Sequence, residues 1–264
     1  MTWLIRPFES IIKLLTEERT MFFINDDGIK LSAVLEQPEG SKSSALGILL
    51  HGFTSAKDRP HNIQAAEAMR DAGLATLRFD LYGHGESGGE FRKHTLYKWI
   101  QNTMTVIDWA RDNGFENIYL SGHSQGGLVA AMAAGMERDR IKGLILRAPA
   151  FMIPDSARKG DMLGYKFNPD RIPDAIDTIK DLTLDGNYIR VAQTIHVEDA
   201  FRFTGPVLIL HGDEDDTVPL EDSGNAAEQY TECELKVMAE ETHHFDRHPD
   251  QMKRIIREWI ARQK

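Results

Sequence analysis

The sequence predicts an α/β fold in which a mostly parallel sheet is covered by helices on both faces. From residue 45 onward, short apolar runs alternate with segments that have helical spacing. Glycines flank many of these runs, and strands buried on both faces of a parallel sheet have this continuous apolar character. The 264 residues would suit one large domain or two small ones, and we interpret residues 1–264 as a single domain.

The first 18 residues predict an amphipathic helix, because their large apolar side chains recur at helical spacing. This stripe consists of Leu4, Ile5, Phe8, Ile11, Ile12 and Leu15. The polar face has two basic residues, Arg6 and Lys13, but three glutamates. Because helices that bind a membrane surface are usually rich in Lys and Arg on this face, the charges argue against membrane binding. We expect the stripe to pack against protein, either the domain itself or a second copy in a homodimer.

The remaining elements follow in a regular order. A hairpin signal at Asp26-Asp27-Gly28 joins the first two strands. The predicted strands are Thr20–Asn25, Ile29–Glu36, Leu46–Leu50, Leu74–Phe79, Ile118–Leu120, Leu144–Leu146, Val207–Leu210 and Leu235–Met238. The predicted helices are Ile63–Ala72, Leu96–Arg111, Gln125–Met136 and Gln251–Ala261.

One segment, residues 151–203, breaks this alternation. It contains Pro154, Pro169 and Pro173, many charges and no apolar run typical of a central strand. We interpret it as a lid inserted over the C-terminal edge of the sheet, where open α/β sheets bind ligands.

Composition excludes several classes of function. The 31 basic and 41 acidic residues give a formal net charge of −10, which disfavours general nucleic-acid binding. A single cysteine, Cys233, excludes an internal disulfide and a four-cysteine zinc site. The chain has no apolar stretch long enough to span a bilayer, and charges and Pro7 interrupt its first 15 residues, unlike a signal peptide. We therefore predict a cytoplasmic protein.

The segment Gly122-His123-Ser124-Gln125-Gly126 follows a predicted strand and precedes a predicted helix. A serine on a tight strand-to-helix turn exposes its hydroxyl, and the helix behind it points backbone N–H groups at developing negative charge. Ser124 is therefore the candidate nucleophile. The alternative is a glycine-rich turn without chemistry.

Serine needs a base to remove its proton, and two later loops offer candidates. The loop after Val207–Leu210 contains Asp213, Asp215 and Asp216, and the loop after Leu235–Met238 contains His243 and His244. Although His244 and His248 are four residues apart, they lack a third ligand cluster, so we predict neither a metal nor another cofactor.

These motifs together resemble the α/β-hydrolase superfamily, and more narrowly the bacterial cinnamoyl (feruloyl) esterases. The resemblance covers about residues 20–262 and follows the order of the motifs. Its motifs are His51-Gly52-Phe53-Thr54, Asp80-Leu81-Tyr82-Gly83-His84-Gly85-Glu86-Ser87, the Ser124 turn, and two lid phrases, Phe167-Asn168-Pro169-Asp170-Arg171-Ile172-Pro173 and Lys180-Asp181-Leu182-Thr183-Leu184.

The resemblance implies a role for each candidate. The acid-loop pattern G-x-x-D-x-x-V-P selects Asp215 and leaves Asp213 and Asp216 as solvated carboxylates. The base that precedes x-Phe is His243, with His244 as its rival. The backbone N–H groups of Phe53 and Gln125 are the implied oxyanion donors. We expect His51, Asp80, His84 and His123 to be structural.

The resemblance also implies a small-molecule ester of a hydroxycinnamic acid as substrate. Tyr188 and Asp155 are the implied partners of its phenolic hydroxyl, while other lid aromatics either stack on the acyl group or form the lid's own core. A monoacylglycerol lipase or a thioesterase of the same superfamily is the first alternative. A non-catalytic ligand receptor on the same fold is the second alternative. Such a receptor would not need an intact triad, whereas this sequence contains a candidate for each of the three triad residues.

Overall fold

The computed structural model describes residues 19–178 and 182–263. The predicted N-terminal helix lies outside these residues, as do Lys180 and Asp181 of the second lid phrase. The strands are β1 (Arg19–Asp26), β2 (Ile29–Glu36), β3 (Ala45–Leu50), β4 (Ala75–Phe79), β5 (Asn117–His123), β6 (Ile141–Arg147), β7 (Asp161–Met162), β8 (Tyr165–Lys166), β9 (Ala175–Asp177), β10 (Thr183–Asp185), β11 (Val207–Gly212) and β12 (Cys233–Met238).

The helices alternate with the longer strands. They are α1 (Pro60–Asp71), α2 (Leu96–Asp112), α3 (Gln125–Met136), α4 (Ile153–Lys159), α5 (Asn187–Thr194), α6 (Leu220–Gln229) and α7 (Pro249–Arg262). Two 3₁₀ helices span Phe91–Lys93 and Val197–Arg202.

Eight strands of the described chain form one sheet in the order β1-β2-β4-β3-β5-β6-β11-β12. The β1–β2 hairpin and the β2–β4 pair are antiparallel, and every other pair in this sheet is parallel. Asp27 and Gly28 close the hairpin with positive φ angles of 47° and 85°. The predicted α/β-hydrolase architecture, a mostly parallel sheet with helices around it, is confirmed.

Alternate residues of the central strands enter two separate cores. Along β5, Ile118 and Leu120 join one buried cluster and Tyr119 joins the other, as the twofold repeat of a strand requires. Helices α2 and α3 cover the first face, with Trp99 fully buried there. Helices α1 and α7 cover the second, where Trp259 is buried.

Two central strands are longer than the apolar pattern predicts. Strands β5 and β6 each contain seven residues, whereas the pattern indicates three. At their C-terminal ends, β5 adds Ser121, Gly122 and His123 and β6 adds Arg147, and all four residues are buried. These residues continue the parallel ladder, with His123 opposite Arg147, so main-chain pairing extends the strands beyond the apolar run.

The segment between β6 and β11 contains α4, α5, the second 3₁₀ helix and two short hairpins, β7–β8 and β9–β10. Helix α4 packs against α5, and the 3₁₀ helix Val197–Arg202 packs against α3. The approach is close at Gly135, where a Cβ atom would lie 2.0 Å from the Asp199 carbonyl oxygen. The assignment of this segment as a lid stays a prediction.

A buried ion pair joins two loops at the C-terminal edge of the sheet. Lys57, which follows β3, donates from its backbone N–H to Asp80 Oδ1 at 2.7 Å and from Nζ to Oδ2 at 2.8 Å. Asp80 directly follows β4, and both side chains are at most 2% exposed. The ammonium also donates to the exposed Glu86. This pair links the loop after β3, which contains Gly52 and Phe53, to the loop after β4.

Replacing Lys57 with methionine is expected to lower the free energy of unfolding by about 3–5 kcal/mol, because it leaves the buried Asp80 carboxylate without its cation. Urea unfolding measures the change. Lys93→Met is the matched control, since Lys93 pairs with Glu90 in solvent and should cost less than about 1 kcal/mol. Equal unfolding midpoints for the two variants would contradict the prediction.

Candidate active site

Ser124 occupies the sharp turn between β5 and α3. Its φ of 55° and ψ of −124° are unusual for a residue with a side chain, and such strain is typical of a nucleophile turn. Two glycines make the turn sterically feasible. A Cβ at Gly122 would lie 2.2 Å from the Gly126 carbonyl oxygen, and one at Gly126 would lie 2.2 Å from that of His51. The turn therefore holds the Ser124 side chain at the C-terminal end of β5, at the edge of the sheet.

Asp215 and His243 form a buried hydrogen-bonded pair. The Nδ1–H of His243 donates to Asp215 Oδ2 at 2.7 Å, which leaves the opposite ring nitrogen to act as an acceptor. The Nε2 atom of His211 lies 3.2 Å from the same carboxylate oxygen. The backbone N–H groups of Thr217 and Val218 donate to Oδ1, each at 2.8 Å.

This environment favours an ionised carboxylate. Burial alone would raise the pKa of Asp215, but the hydrogen bonds from His211 and His243 outweigh burial and hold that pKa well below its usual value. A charged, fixed Asp215 is suited to orienting an imidazole and to stabilising its protonated form.

The neighbouring candidates have different surroundings. Asp213 and Asp216 are exposed, and Asp216 accepts a hydrogen bond from the Thr217 hydroxyl at 3.1 Å. His243 is 5% exposed, whereas His244 is exposed. Within the described chain, Asp215 is the carboxylate in hydrogen-bond contact with His243.

His123 links the loop that contains His243 to the turn at Ser124. Its Nε2–H donates to the main-chain oxygen of His243 at 2.8 Å, and the two rings lie 4.7 Å apart. Burial is the main reason that the pKa of His123 lies well below its usual value, so this ring is neutral. In the described residues no hydrogen bond joins the Ser124 hydroxyl to His243, and such bonds commonly tighten only when substrate is bound.

The two predicted oxyanion donors flank Ser124. Gln125 is the first residue of α3, so its N–H lies outside the helical hydrogen-bond ladder. Phe53 follows Gly52, where a Cβ atom would approach the Ser124 Cβ to 3.0 Å. Neither N–H donates a hydrogen bond to another described residue.

Tyr188 and Asp155 make separate contacts. The Tyr188 hydroxyl donates to Gln125 Oε1 at 2.6 Å, and its side chain is 1% exposed. Burial raises the pKa of Tyr188, so the hydroxyl stays protonated. Asp155 is exposed, pairs with Arg158 at 2.8 Å and lines a cavity of about 290 Å³ with residues that include Phe201. Its partner is thus a surface arginine.

A cavity of about 440 Å³, larger than the one beside Asp155, lies next to the loop that contains His243 and His244. Its lining includes Phe53, Ser55, Arg59, His61, Gln64 and His244. The Ser55 hydroxyl and His61 Nε2 are buried and have no hydrogen-bond partner within the described chain.

Sequence reasoning missed a buried polar cluster in which His61, Asn62 and Arg147 surround His123, the one member expected to be structural. The rings of His61 and His123 lie 4.4 Å apart. Burial and the Arg147 cation together lower the pKa of His61 to about 2. The one available signal was Arg147 itself, a charged residue directly after an apolar run.

No group of three or more metal-ligating side chains occurs among residues 19–178 and 182–263. Over the same residues, no helix combines the length and apolar character needed to cross a membrane.

Comparison with known proteins identifies the family. The family model described as serine aminopeptidase S33, a group of hydrolases, matches residues 41–176, just over half of the chain. The chain belongs to this family. This chain is also similar to a solved structure of Est1E from Butyrivibrio proteoclasticus with ferulic acid bound. The two are 46% identical with a TM-score of 0.89, over 92% of this chain and 98% of Est1E. The expectation of a serine hydrolase of the α/β-hydrolase superfamily is confirmed at the level of family.

Curated relatives of this S33 chain are more distant. Human ABHD10, named a mitochondrial palmitoyl-protein thioesterase, is 25% identical over 210 residues, which cover 72% of this chain and 63% of ABHD10. Zebrafish ABHD12, named a lysophosphatidylserine lipase, is 27% identical over 185 residues, 66% of this chain and 44% of ABHD12. The chain spans about half the length of the first curated relatives it matches.

Proposed function

We propose that this protein is a serine carboxylesterase in which Ser124 is the nucleophile, His243 the base and Asp215 the residue that orients it. The observation that carries the proposal is the buried Asp215–His243 pair, which His123 tethers to the Ser124 turn. The same arrangement of nucleophile, base and orienting carboxylate supports acyl transfer on unrelated folds.

In the proposed reaction each residue has one role. His243 takes the Ser124 proton as Oγ bonds to the ester carbonyl carbon, and the negative charge moves to the carbonyl oxygen. The N–H groups of Phe53 and Gln125 stabilise that oxyanion. When the intermediate collapses, the bond to the leaving oxygen breaks and His243 returns the proton to the alcohol. Water, activated by His243, then cleaves the acyl-enzyme in the same two stages.

The substrate we propose is an ester of a hydroxycinnamic acid. The supporting comparison is Est1E, whose solved structure holds ferulic acid and which shares 46% of its residues with this chain. Residues 151–203 would form the lid and the acyl pocket, with Tyr188 and Asp155 as the two separate candidates for the partner of the phenol. The leaving alcohol would occupy the 440 Å³ cavity, whose lining lies in residues 53–64 and 244–246.

A thioesterase or a lipase is the second candidate, favoured by the similarity to ABHD10 and ABHD12. Specificity constants for methyl ferulate, a monoacylglycerol and palmitoyl-CoA separate these functions. We expect methyl ferulate to be the best of the three substrates. A preference for either of the fatty acyl substrates would overturn the hydroxycinnamate proposal and leave the esterase mechanism intact.

The Tyr188 hydroxyl is expected to contribute to the recognition of ferulate. Tyr188→Phe keeps the ring and should lower kcat/KM for methyl ferulate about tenfold, the value of one net hydrogen bond. Activity on p-nitrophenyl acetate, which has no such phenol, should change little. Tyr165→Phe is the matched control from the same segment, since Tyr165 is 37% exposed. An unchanged ratio of the two specificity constants would remove Tyr188 from the acyl pocket.

A further inference from the structure

Arg147, the last residue of β6, is fully buried, and no described residue gives it an acidic partner. Its guanidinium donates to the His61 main-chain oxygen at 3.0 Å and to Asn62 Oδ1 at 2.9 Å. The Nε–H has no hydrogen-bond partner, and no carboxylate of the described residues lies within ion-pair distance. Both acceptors are neutral groups in the first turn of α1.

This arrangement is unfavourable for stability. Burial lowers the pKa of Arg147 to about 9, so the side chain is still a cation at neutral pH. Taking a cation out of water costs folding free energy, and no carboxylate among the described residues offsets that cost. The guanidinium therefore needs an explanation other than stability.

Its hydrogen bonds connect the two halves of the proposed oxyanion hole. The main-chain oxygen of Arg147 accepts the Ser124 N–H at 3.0 Å, so the residue is anchored to the nucleophile turn. Its guanidinium holds Asn62, whose Nδ2 donates in turn to the Ala56 oxygen at 3.0 Å. Ala56 belongs to the same loop as Phe53. A continuous path therefore runs from the Ser124 turn to the loop that carries the other donor.

We propose that Arg147 is a positioning residue that sets the Phe53 loop against the Ser124 turn, so that both backbone N–H groups converge on one oxyanion. The proposal rests on the esterase mechanism above. The planar guanidinium of Arg147 can reach two acceptors in a fixed geometry, which a lysine ammonium or an apolar side chain cannot do. Since an oxyanion forms only in the transition state, a displaced donor should reduce turnover more than substrate binding.

The test uses Arg147→Met, Arg147→Lys and Asn62→Ala in the full chain. Loss of one oxyanion donor costs about 100-fold to 1,000-fold in kcat, so a displaced donor should cost about 10-fold to 100-fold in Arg147→Met and Asn62→Ala. KM for p-nitrophenyl acetate should change less than about twofold, as expected for an interaction made only in the transition state. Arg147→Lys should fall between wild type and Arg147→Met. Affinity for a phenylboronic acid, which forms a tetrahedral adduct with serine, should fall in parallel with kcat.

A structural role would have a different signature. It predicts a loss of product affinity in Arg147→Met equal to the loss of boronate affinity, whereas we expect unchanged affinity for ferulate. Arg140→Met is the control, because Arg140 directly precedes β6 and pairs with Asp108 and Glu137 near the surface. An Arg147→Met variant with wild-type kcat would overturn the proposal. A wild type that hydrolyses no ester and takes no fluorophosphonate label would instead overturn the proposed function, and the role of Arg147 with it.

Discussion

Ser124→Ala is expected to leave a folded protein whose kcat for its best ester falls about 10,000-fold or more, because the variant cannot form the acyl-enzyme. Labelling by a fluorophosphonate probe should disappear at the same time. The fold should be unaffected, since alanine has the same backbone strain at φ 55° and loses only a hydroxyl. Steady-state kinetics, the Tm and intact-protein mass after labelling measure these three outcomes.

A serine three residues before Ser124 provides the control. Ser121 lies on β5, its side chain is buried, and its hydroxyl has no partner among the described residues. Ser121→Ala should therefore retain both activity and labelling. If the folded Ser124→Ala protein kept more than about a tenth of wild-type turnover, Ser124 would not be the nucleophile.

The second large effect is expected at the base and its orienting carboxylate. His243→Ala removes the proton acceptor, and Asp215→Asn removes the charge that fixes the tautomer of the ring, so each should lower kcat by about 10,000-fold. His244→Ala and Asp216→Asn are the matched controls from the same loops and should stay within about tenfold of wild type. An inactive His244→Ala beside an active His243→Ala would exchange the two assignments.

Dependence on pH gives further readouts of the same pair. In the wild type, kcat/KM should fall toward acid pH, because a protonated imidazole cannot accept the Ser124 proton. Since folding lowers the pKa of Asp215, its carboxylate stabilises the protein above the unfolded pKa of about 3.9, and this contribution is lost as the pH falls below that value. The stability difference between wild type and Asp215→Asn should therefore be largest near neutral pH and shrink below about pH 4.

The sequence by itself determined the fold class and the location of the candidate site. Continuous apolar runs, such as the one ending at Leu50, produce strands buried on both faces, and that pattern is a local property of the chain. The nucleophile turn is also local, because Gly122, Ser124 and Gly126 lie within five residues and Gln125–Met136 has the predicted helix bounds. The order of the motifs along the chain was enough to indicate the family.

Only the tertiary structure decided which polar groups meet. Asp213, Asp215 and Asp216 are similar in local chemistry, and the sequence preferred Asp215 only through the resemblance to a family motif. The packing of two loops is what brings Asp215 into contact with a histidine 28 residues away. The contacts of His123 with His243 and of Arg147 with Asn62 span 120 and 85 residues. The apolar pattern ends before Arg147, whereas strand pairing carries that residue into the interior. Propensity and periodicity describe neighbours along the chain, but a buried polar group is specified by partners that only folding brings together.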